Sequence, residues 1–263
     1  MNTTNQSKGV WALGDYKSLG RVIPPVSAKL TRLVNVNPTD SVLDVACGFG
    51  NTAITARRIG AKVTGIDITP ELLSLAKEEE SIAGFNDIVW KEGNAENLPF
   101  EDESFDVVLS TFGHMFAPNQ ESTAKEILRV LKKGGRIGFT TWSPDLAMGR
   151  MFSVVSKYAP TTTPTSSPVE WGNPDRVKDL LTGVKELYFE RDTMNFPILS
   201  PNHYWQEMST KSGSMVQLIE AFRKSDNNEK IESLRKEYLT AVEPYIVDNA
   251  VRLGYLITIA TKE

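Results

Sequence analysis

Between Ser41 and Trp142, short β-branched apolar runs alternate with stretches in which apolar residues recur every three or four positions. That alternation is the form taken by consecutive βαβ units, and it predicts a parallel sheet. The predicted strands are Ser41–Val45, Lys62–Ile66, Ile88–Lys91, Phe105–Leu109 and Arg136–Thr141. Two of the intervening helices carry boundary signals. One has Thr69 as N-cap and Pro70 at its first position; the other aligns Ala124, Ile127, Leu128 and Leu131 and is ended by Lys132, Lys133 and Gly134.

Upstream, Trp11 to Leu33 has helical character interrupted by Pro24 and Pro25, which predicts a jointed element lying against the core. Downstream the rhythm changes. Pro160 to Pro168 reads PTTTPTSSP, a loop, while Glu186–Phe196 and Gly254–Thr261 read as two further strands separated by amphipathic segments, Tyr204–Phe222 and Glu229–Ile246. The expected plan is a helical lid over residues 1–40, a ligand-binding core over 41–142, and sheet completion with a substrate cap over 143–263.

Composition removes several alternatives. Of 263 residues, 40% are hydrophobic and 24% charged, which is ordinary globular usage. The net charge of -4 offers no basic excess for binding polymeric nucleic acid. Cys47 is the single cysteine, so an internal disulfide and a cysteine metal cluster are excluded, and no metal site is expected. The start MNTTNQSKGV lacks the pattern of a secretory leader, and no apolar run approaches the roughly 20 residues of a membrane helix. A cytoplasmic protein without membrane insertion is expected.

Candidate chemistry centres on VLDVACGFGNTA, Val42 to Ala53, a strand running through glycines into a helix. Gly48 and Gly50 let the backbone approach a ligand, and the helix start offers unpaired N–H groups. The spacing Gly48 to Ala53 also fits the dinucleotide form G-x-G-x-x-A, so a nicotinamide dehydrogenase is a rival reading. Against it, Asp44 lies inside the first strand, where a dinucleotide fold places an apolar residue; a carboxylate there faces a cationic ligand. Asp67 closes the second strand, placed to accept ribose hydroxyls, which fits either nucleoside.

Further along come GNAENLPFEDESFDVVLS, Gly93 to Ser110, and ILRVLKKGGRIGFTTW, Ile127 to Trp142. With these in register, the chain from Trp11 to Trp142 resembles the class I S-adenosylmethionine-dependent methyltransferases, in particular the small-molecule, quinone-biosynthesis-like branch. The resemblance implies a Rossmann-like, doubly wound α/β fold: a mostly parallel seven-stranded sheet with helices on both faces and a helical cap. It implies S-adenosylmethionine as methyl donor and S-adenosylhomocysteine as product. Asp44, Ala46 and Gly48 would hold the donor's methionine portion, Asp67 and Ile68 the ribose and adenine, and Asn94 and Ala95 the adenine edge. Ser110 and Thr111 would border the sulfonium. Family members often carry glycine at the position of Ala46 and aspartate at that of Asn94.

Methyl transfer from a sulfonium needs alignment more than acid–base machinery. A base helps only a protonated nucleophile, and His114 and His203 are the candidates, each with packing as the competing reading. Trp11 and Tyr16 read equally as an aromatic lid over the sulfonium or as a hydrophobic clasp. Met115, Phe116, Met148, Met151, Phe152, Trp171, Tyr204 and Trp205 would line an apolar pocket or form core. Cys47 has no partner base and fills the loop. The expected partner is a small, partly apolar methyl acceptor, with a non-catalytic donor-binding module as a further alternative. Nucleic-acid amino methylation is disfavoured because Ser110, Thr111, Phe112 and Gly113 lack the Pro-Pro-aromatic motif, and arsenite methylation by the lone cysteine.

Overall fold

The computed structural model describes residues 3–159 and 166–263, with side chains from residue 8 onward. Residues 160–165 of the expected loop lie outside them. The helices are α1 (Thr3–Ala12), α2 (Tyr16–Leu19), α3 (Pro24–Leu33), α4 (Asn51–Ile59), α5 (Pro70–Ile82), α6 (Gln120–Val130), α7 (Ala147–Tyr158), α8 (Pro174–Leu180), α9 (Pro201–Lys211), α10 (Gly213–Lys224) and α11 (Asn228–Val242). The strands are β1 (Ser41–Val45), β2 (Lys62–Asp67), β3 (Val89–Glu92), β4 (Phe105–Thr111), β5 (Leu131–Trp142), β6 (Val184–Pro197), β7 (Ile246–Val247) and β8 (Ala250–Lys262). None of the described helices is long and apolar enough to cross a membrane.

Two compact units are present. The sheet unit comprises Ile23–Trp142, Pro164–Asp192 and Tyr255–Glu263; the other comprises Met1–Val22, Ser143–Thr163 and Thr193–Gly254. Among the described residues the strand order is β3-β2-β1-β4-β5-β8-β6, with the two-residue β7 beside β8. The strands β1 to β5 pair in parallel and β8 runs antiparallel to β5, giving the mostly parallel, Rossmann-like α/β fold. Val42, Leu43 and Val45 of β1 are fully buried, each contributing roughly 1.5–3 kcal/mol. The chain proceeds from β1 outward to β2 and β3, then returns to lay β4 on the opposite side of β1. That reversal opens a crevice at the carboxyl ends of β1 and β4, where ligands bind open α/β sheets.

The interruption expected at Pro24 and Pro25 is present, and these prolines open α3 because proline suits the first turn. Other boundaries differ from expectation for local reasons. Thr69 precedes α5, but its hydroxyl makes no cap; Asp67 Oδ1 accepts the Thr69 N–H at 2.9 Å instead. Lys132, Lys133 and Gly134 do not end α6. The helix stops at Val130, and these residues belong to β5, within an irregular stretch where pairing slips between Phe105 and Val107.

In the second unit, the amphipathic segment Tyr204–Phe222 is two helices rather than one. Gly213 begins α10, its N–H donates to Tyr16 Oη at 3.1 Å, and a Cβ there would stand 2.0 Å from the Val10 carbonyl oxygen. Buried Tyr204 donates to Met151 Sδ at 3.6 Å and packs with Tyr238 and Phe196. Met151, Tyr204 and Trp205 are thus core of this unit, as Met115 and Trp171 are of the sheet unit.

Candidate functional site

The site grows from the tip of β1. Asp44, 1% exposed, turns its carboxylate to the first turn of α4, where Oδ2 accepts the Ala53 N–H at 2.9 Å. A carboxylate at a helix N-terminus satisfies an orphan donor and faces the positive end of the dipole. Its Oδ1 is buried with no hydrogen-bond partner among the described residues. Beyond Val45 the chain makes a tight turn: Ala46 has φ 53°, Gly48 55° and Gly50 92°. The Cys47 N–H donates to the Ile66 carbonyl at 3.0 Å, and the Gly50 N–H to the Cys47 carbonyl at 2.9 Å. A Cβ on Gly48 would meet nothing within 4 Å, so open space faces the turn.

Asp67, at the end of β2 and 6% exposed, fastens this turn from the side. Its Oδ2 accepts the Gly48 N–H at 2.9 Å while Oδ1 holds Thr69. Burial raises both carboxyls above the ordinary range; Asp44 is pushed up to about 8, with repulsion from Asp67 adding to desolvation, while hydrogen bonds to Asp67 oppose the rise there. Among the described residues no cationic side chain figures in the causes of either shift. The same burial and both acids raise the Cys47 thiol, leaving it a neutral filler of the loop.

Two residues outside the expected set shape the turn. The Trp90 ring lies against it so closely that a Cβ on Gly50 or Gly65 would come within 2.7 and 2.5 Å of ring carbons. Buried Glu80 fixes that ring, accepting Trp90 Nε1–H and the Ile88 N–H, each at 2.7 Å. An acid recurring on the apolar face of α5 was the available signal.

The tip of β4 completes the crevice. Ser110 Oγ donates to the Val45 carbonyl at 2.7 Å and accepts the His114 N–H at 3.0 Å, stapling β4 to β1. Thr111 accepts from Thr52 Oγ1 at 2.7 Å. Phe112 has φ 57°, a strained conformation for a bulky residue, and stacks on Trp142 at 3.8 Å. Ile68, just after β2, and Asn94 and Ala95, after β3, are half-buried, and Asn94 Oδ1 accepts the Glu96 N–H at 3.0 Å while keeping a second lone pair.

His114 is fully buried between Phe139, at 4.3 Å between ring centres, and Trp171, at 4.6 Å; neither ring nitrogen has a hydrogen-bond partner among the described residues. Desolvation alone lowers its pKa to about 3. The structure therefore gathers Asp44, Ala46, Gly48, Asp67, Ile68, Ser110, Thr111 and His114 in the sheet unit, with Asn94 and Ala95 following β3. Trp11, Tyr16 and His203 belong to the other unit. There Trp11 and Tyr16 pack at 5.4 Å, and burial pushes the Tyr16 hydroxyl up to about 12. His203 is half-exposed in the first turn of α9; its Nδ1 accepts the Leu199 N–H at 3.0 Å and its Nε2 lies 3.8 Å from Glu207 Oε1.

Comparison with known proteins fits this geometry. A methyltransferase-domain family model matches residues 43–139. An uncharacterized protein of Mycobacterium tuberculosis is 36% identical over 258 residues, covering 96% of this chain and 93% of that protein. The demethylmenaquinone methyltransferase of Bacillus subtilis is 34% identical over 112 residues, 41% of this chain and 48% of that one. The chain belongs to the class I S-adenosylmethionine-dependent methyltransferases. Its fold is shared with a solved S-adenosylmethionine-dependent methyltransferase from Thermotoga maritima, at TM-score 0.57 and 16% identity over 95% of each chain. The methyl donor of this methyltransferase is S-adenosylmethionine. The residues present suit it: among the described residues a buried carboxylate oxygen has no partner and two acids beside an open glycine turn have no cation, and the donor is cationic at sulfur and at its amino group.

Proposed function

We propose that this methyltransferase transfers the methyl group of S-adenosylmethionine to a small, partly apolar acceptor by in-line displacement. The observation carrying this reading is the pair Asp44 and Asp67, two buried carboxyls flanking the turn at Gly48 with no cationic partner among the described residues. In the proposed arrangement Asp44, Ala46 and Gly48 hold the methionine portion, Asp67 and Ile68 the ribose, Asn94 and Ala95 the adenine edge, and Ser110 and Thr111 the region of the sulfonium. When bound, the donor supplies a methyl already activated by positive sulfur. An acceptor nucleophile aligned by these residues would take that methyl as the carbon–sulfur bond broke, leaving S-adenosylhomocysteine, with any proton on the nucleophile lost to solvent after the product departs.

Catalysis in this proposal rests on alignment and exclusion of water, with no covalent intermediate. His114 is fully buried and uncharged, and a group with a pKa of about 3 is a feeble base near neutrality. This favours acceptors whose nucleophilic atom is unprotonated when it binds, such as an aromatic amine, an enolate or a phenolate. The small-molecule acceptor is supported by the net charge of -4, which gives nucleic acid no electrostatic foothold. Incubation with methyl-labelled donor and a metabolite extract of the host, followed by identification of labelled products, tests the proposal. Label in a low-molecular-mass product is expected; label confined to nucleic acid or protein would refute the acceptor class.

A further inference from the structure

Three hydroxyls from three elements form a line that ends at the tip of β4. Ser27 Oγ of α3 lies 2.9 Å from Thr52 Oγ1 of α4, and Thr52 Oγ1 donates to Thr111 Oγ1 at 2.7 Å. Ser27 is 0% and Thr52 2% exposed, so neither reaches the crevice. Burying a hydroxyl is unfavourable unless it is paired, and at these helix positions alanine or valine would pack without that cost.

The direction of the line follows from counting protons, since each hydroxyl carries one. Thr52 gives its own to Thr111, so the bond to Ser27 must run from Ser27 to Thr52. Thr31, one turn further along α3, sends its proton to the carbonyls of Ser27 and Ala28 and does not feed the line. Thr111 therefore receives a hydrogen bond and keeps its own proton, for which no acceptor occurs among the described residues. A hydroxyl held in this way is an oriented donor, and accepting a bond strengthens the one it gives.

We propose that Ser27 and Thr52 are positioning residues that set Thr111 as a hydrogen-bond donor to the α-carboxylate of the bound methyl donor. This rests on the reading that the strand tips hold S-adenosylmethionine. Of that molecule's groups near its sulfur, the sulfonium and the ammonium repel a donated proton, and the carboxylate attracts one. With Asp44 and Asp67 lining the neighbouring tips, a carboxylate needs a neutral donor on the side away from them, and Thr111 supplies it.

The test compares calorimetric titrations with S-adenosylhomocysteine and with 5′-methylthioadenosine, which keeps the nucleoside and sulfur but lacks carboxylate and ammonium. Thr52→Val is expected to weaken S-adenosylhomocysteine about tenfold, the scale of one hydrogen bond to a charged group, and to leave methylthioadenosine within about twofold. Thr52→Ser should restore the affinity, and Ser27→Ala should weaken it by about threefold, since its effect is one bond removed. If Thr52→Val does not fold, Ser27→Ala decides with the same pair of ligands. Equal losses for both ligands, or unchanged S-adenosylhomocysteine affinity in Ser27→Ala and Thr52→Val, would overturn the relay while leaving the site reading intact. Failure of the unaltered protein to bind S-adenosylhomocysteine would remove the site reading and this inference together.

Discussion

Gly113 and Ala46 meet backbone to backbone: a Cβ added to Gly113 would stand 2.2 Å from the Ala46 carbonyl oxygen and 2.7 Å from its Cβ. The tips of β1 and β4 therefore approach as closely as their backbones allow, and Ser110 ties them with its bond to Val45. Gly113→Ala is expected to destabilise the protein by about 2–3 kcal/mol, the range for overpacking against rigid backbone, and to weaken donor binding. Denaturant unfolding and a donor titration on the same variant check both effects.

Ala46 sits in the left-handed region with φ 53°, which costs an alanine about 1 kcal/mol. Glycine accepts that geometry but gains freedom in the unfolded chain, offsetting part of the gain. Ala46→Gly is thus expected to leave stability within about 1 kcal/mol of the unaltered protein and to retain donor affinity. A thermal melt with and without S-adenosylhomocysteine measures both; a clear loss of either would contradict the strain assigned here.

How much of this was legible beforehand depended on whether the cause was local. A central parallel strand is buried on both faces and reads as a continuous apolar run, so β1 was visible and Asp44 stood out within it. Asp67 was legible as a strand-end acid, though its bonds to Gly48 and Thr69 were not. Thr52 looked like one more polar helix residue, because its partners lie 25 and 59 positions away. The split between α9 and α10 was equally hidden, since the Tyr16 hydroxyl at Gly213 comes from 197 residues upstream. The pair Lys132 and Lys133 followed by Gly134 carried a helix-ending signal, but α6 already stops at Val130 and pairing with β4 begins at Leu131.

Asp44 gives the site a pH signature. Its carboxyl is pushed up to about 8 in the fold, whereas in the unfolded chain it titrates near 3.8. Between those values the folded protein holds a proton that the unfolded chain has lost, so this group's contribution to stability declines as pH rises from about 4 to 8 and is level above. A cationic ligand favours the carboxylate, so affinity should move the opposite way. S-Adenosylmethionine binding is expected to strengthen by up to about tenfold per pH unit between pH 6 and 8, and Asp44→Asn to flatten that slope. Calorimetry across this range, with proton release read from buffers of different ionisation enthalpy, checks it.

His114 has the reverse dependence. Its pKa falls from 6.5 to about 3 on folding, so the unfolded chain binds a proton that the folded one refuses. Stability from this group is complete above pH 6.5 and is lost as pH drops toward 3, by at most about 1.4 kcal/mol per unit. Because both ring nitrogens lack partners among the described residues, phenylalanine should fit nearly neutrally at pH 7.5. Comparing unfolding of the unaltered protein and His114→Phe from pH 7.5 to 4.5 should show the variant losing less stability on acidification. Parallel curves would show that the imidazole is not shielded as described.

The most direct measurement is a calorimetric titration of S-adenosylmethionine into the unaltered protein and into Asp67→Ala, each first verified as folded by its melting transition. If the strand tips of β1 and β2 form the cradle, the unaltered protein binds and the variant loses at least about tenfold in affinity, having lost both the ribose contact and the anchor of the Gly48 turn. Equal affinity in the two proteins would place the donor elsewhere and contradict the account.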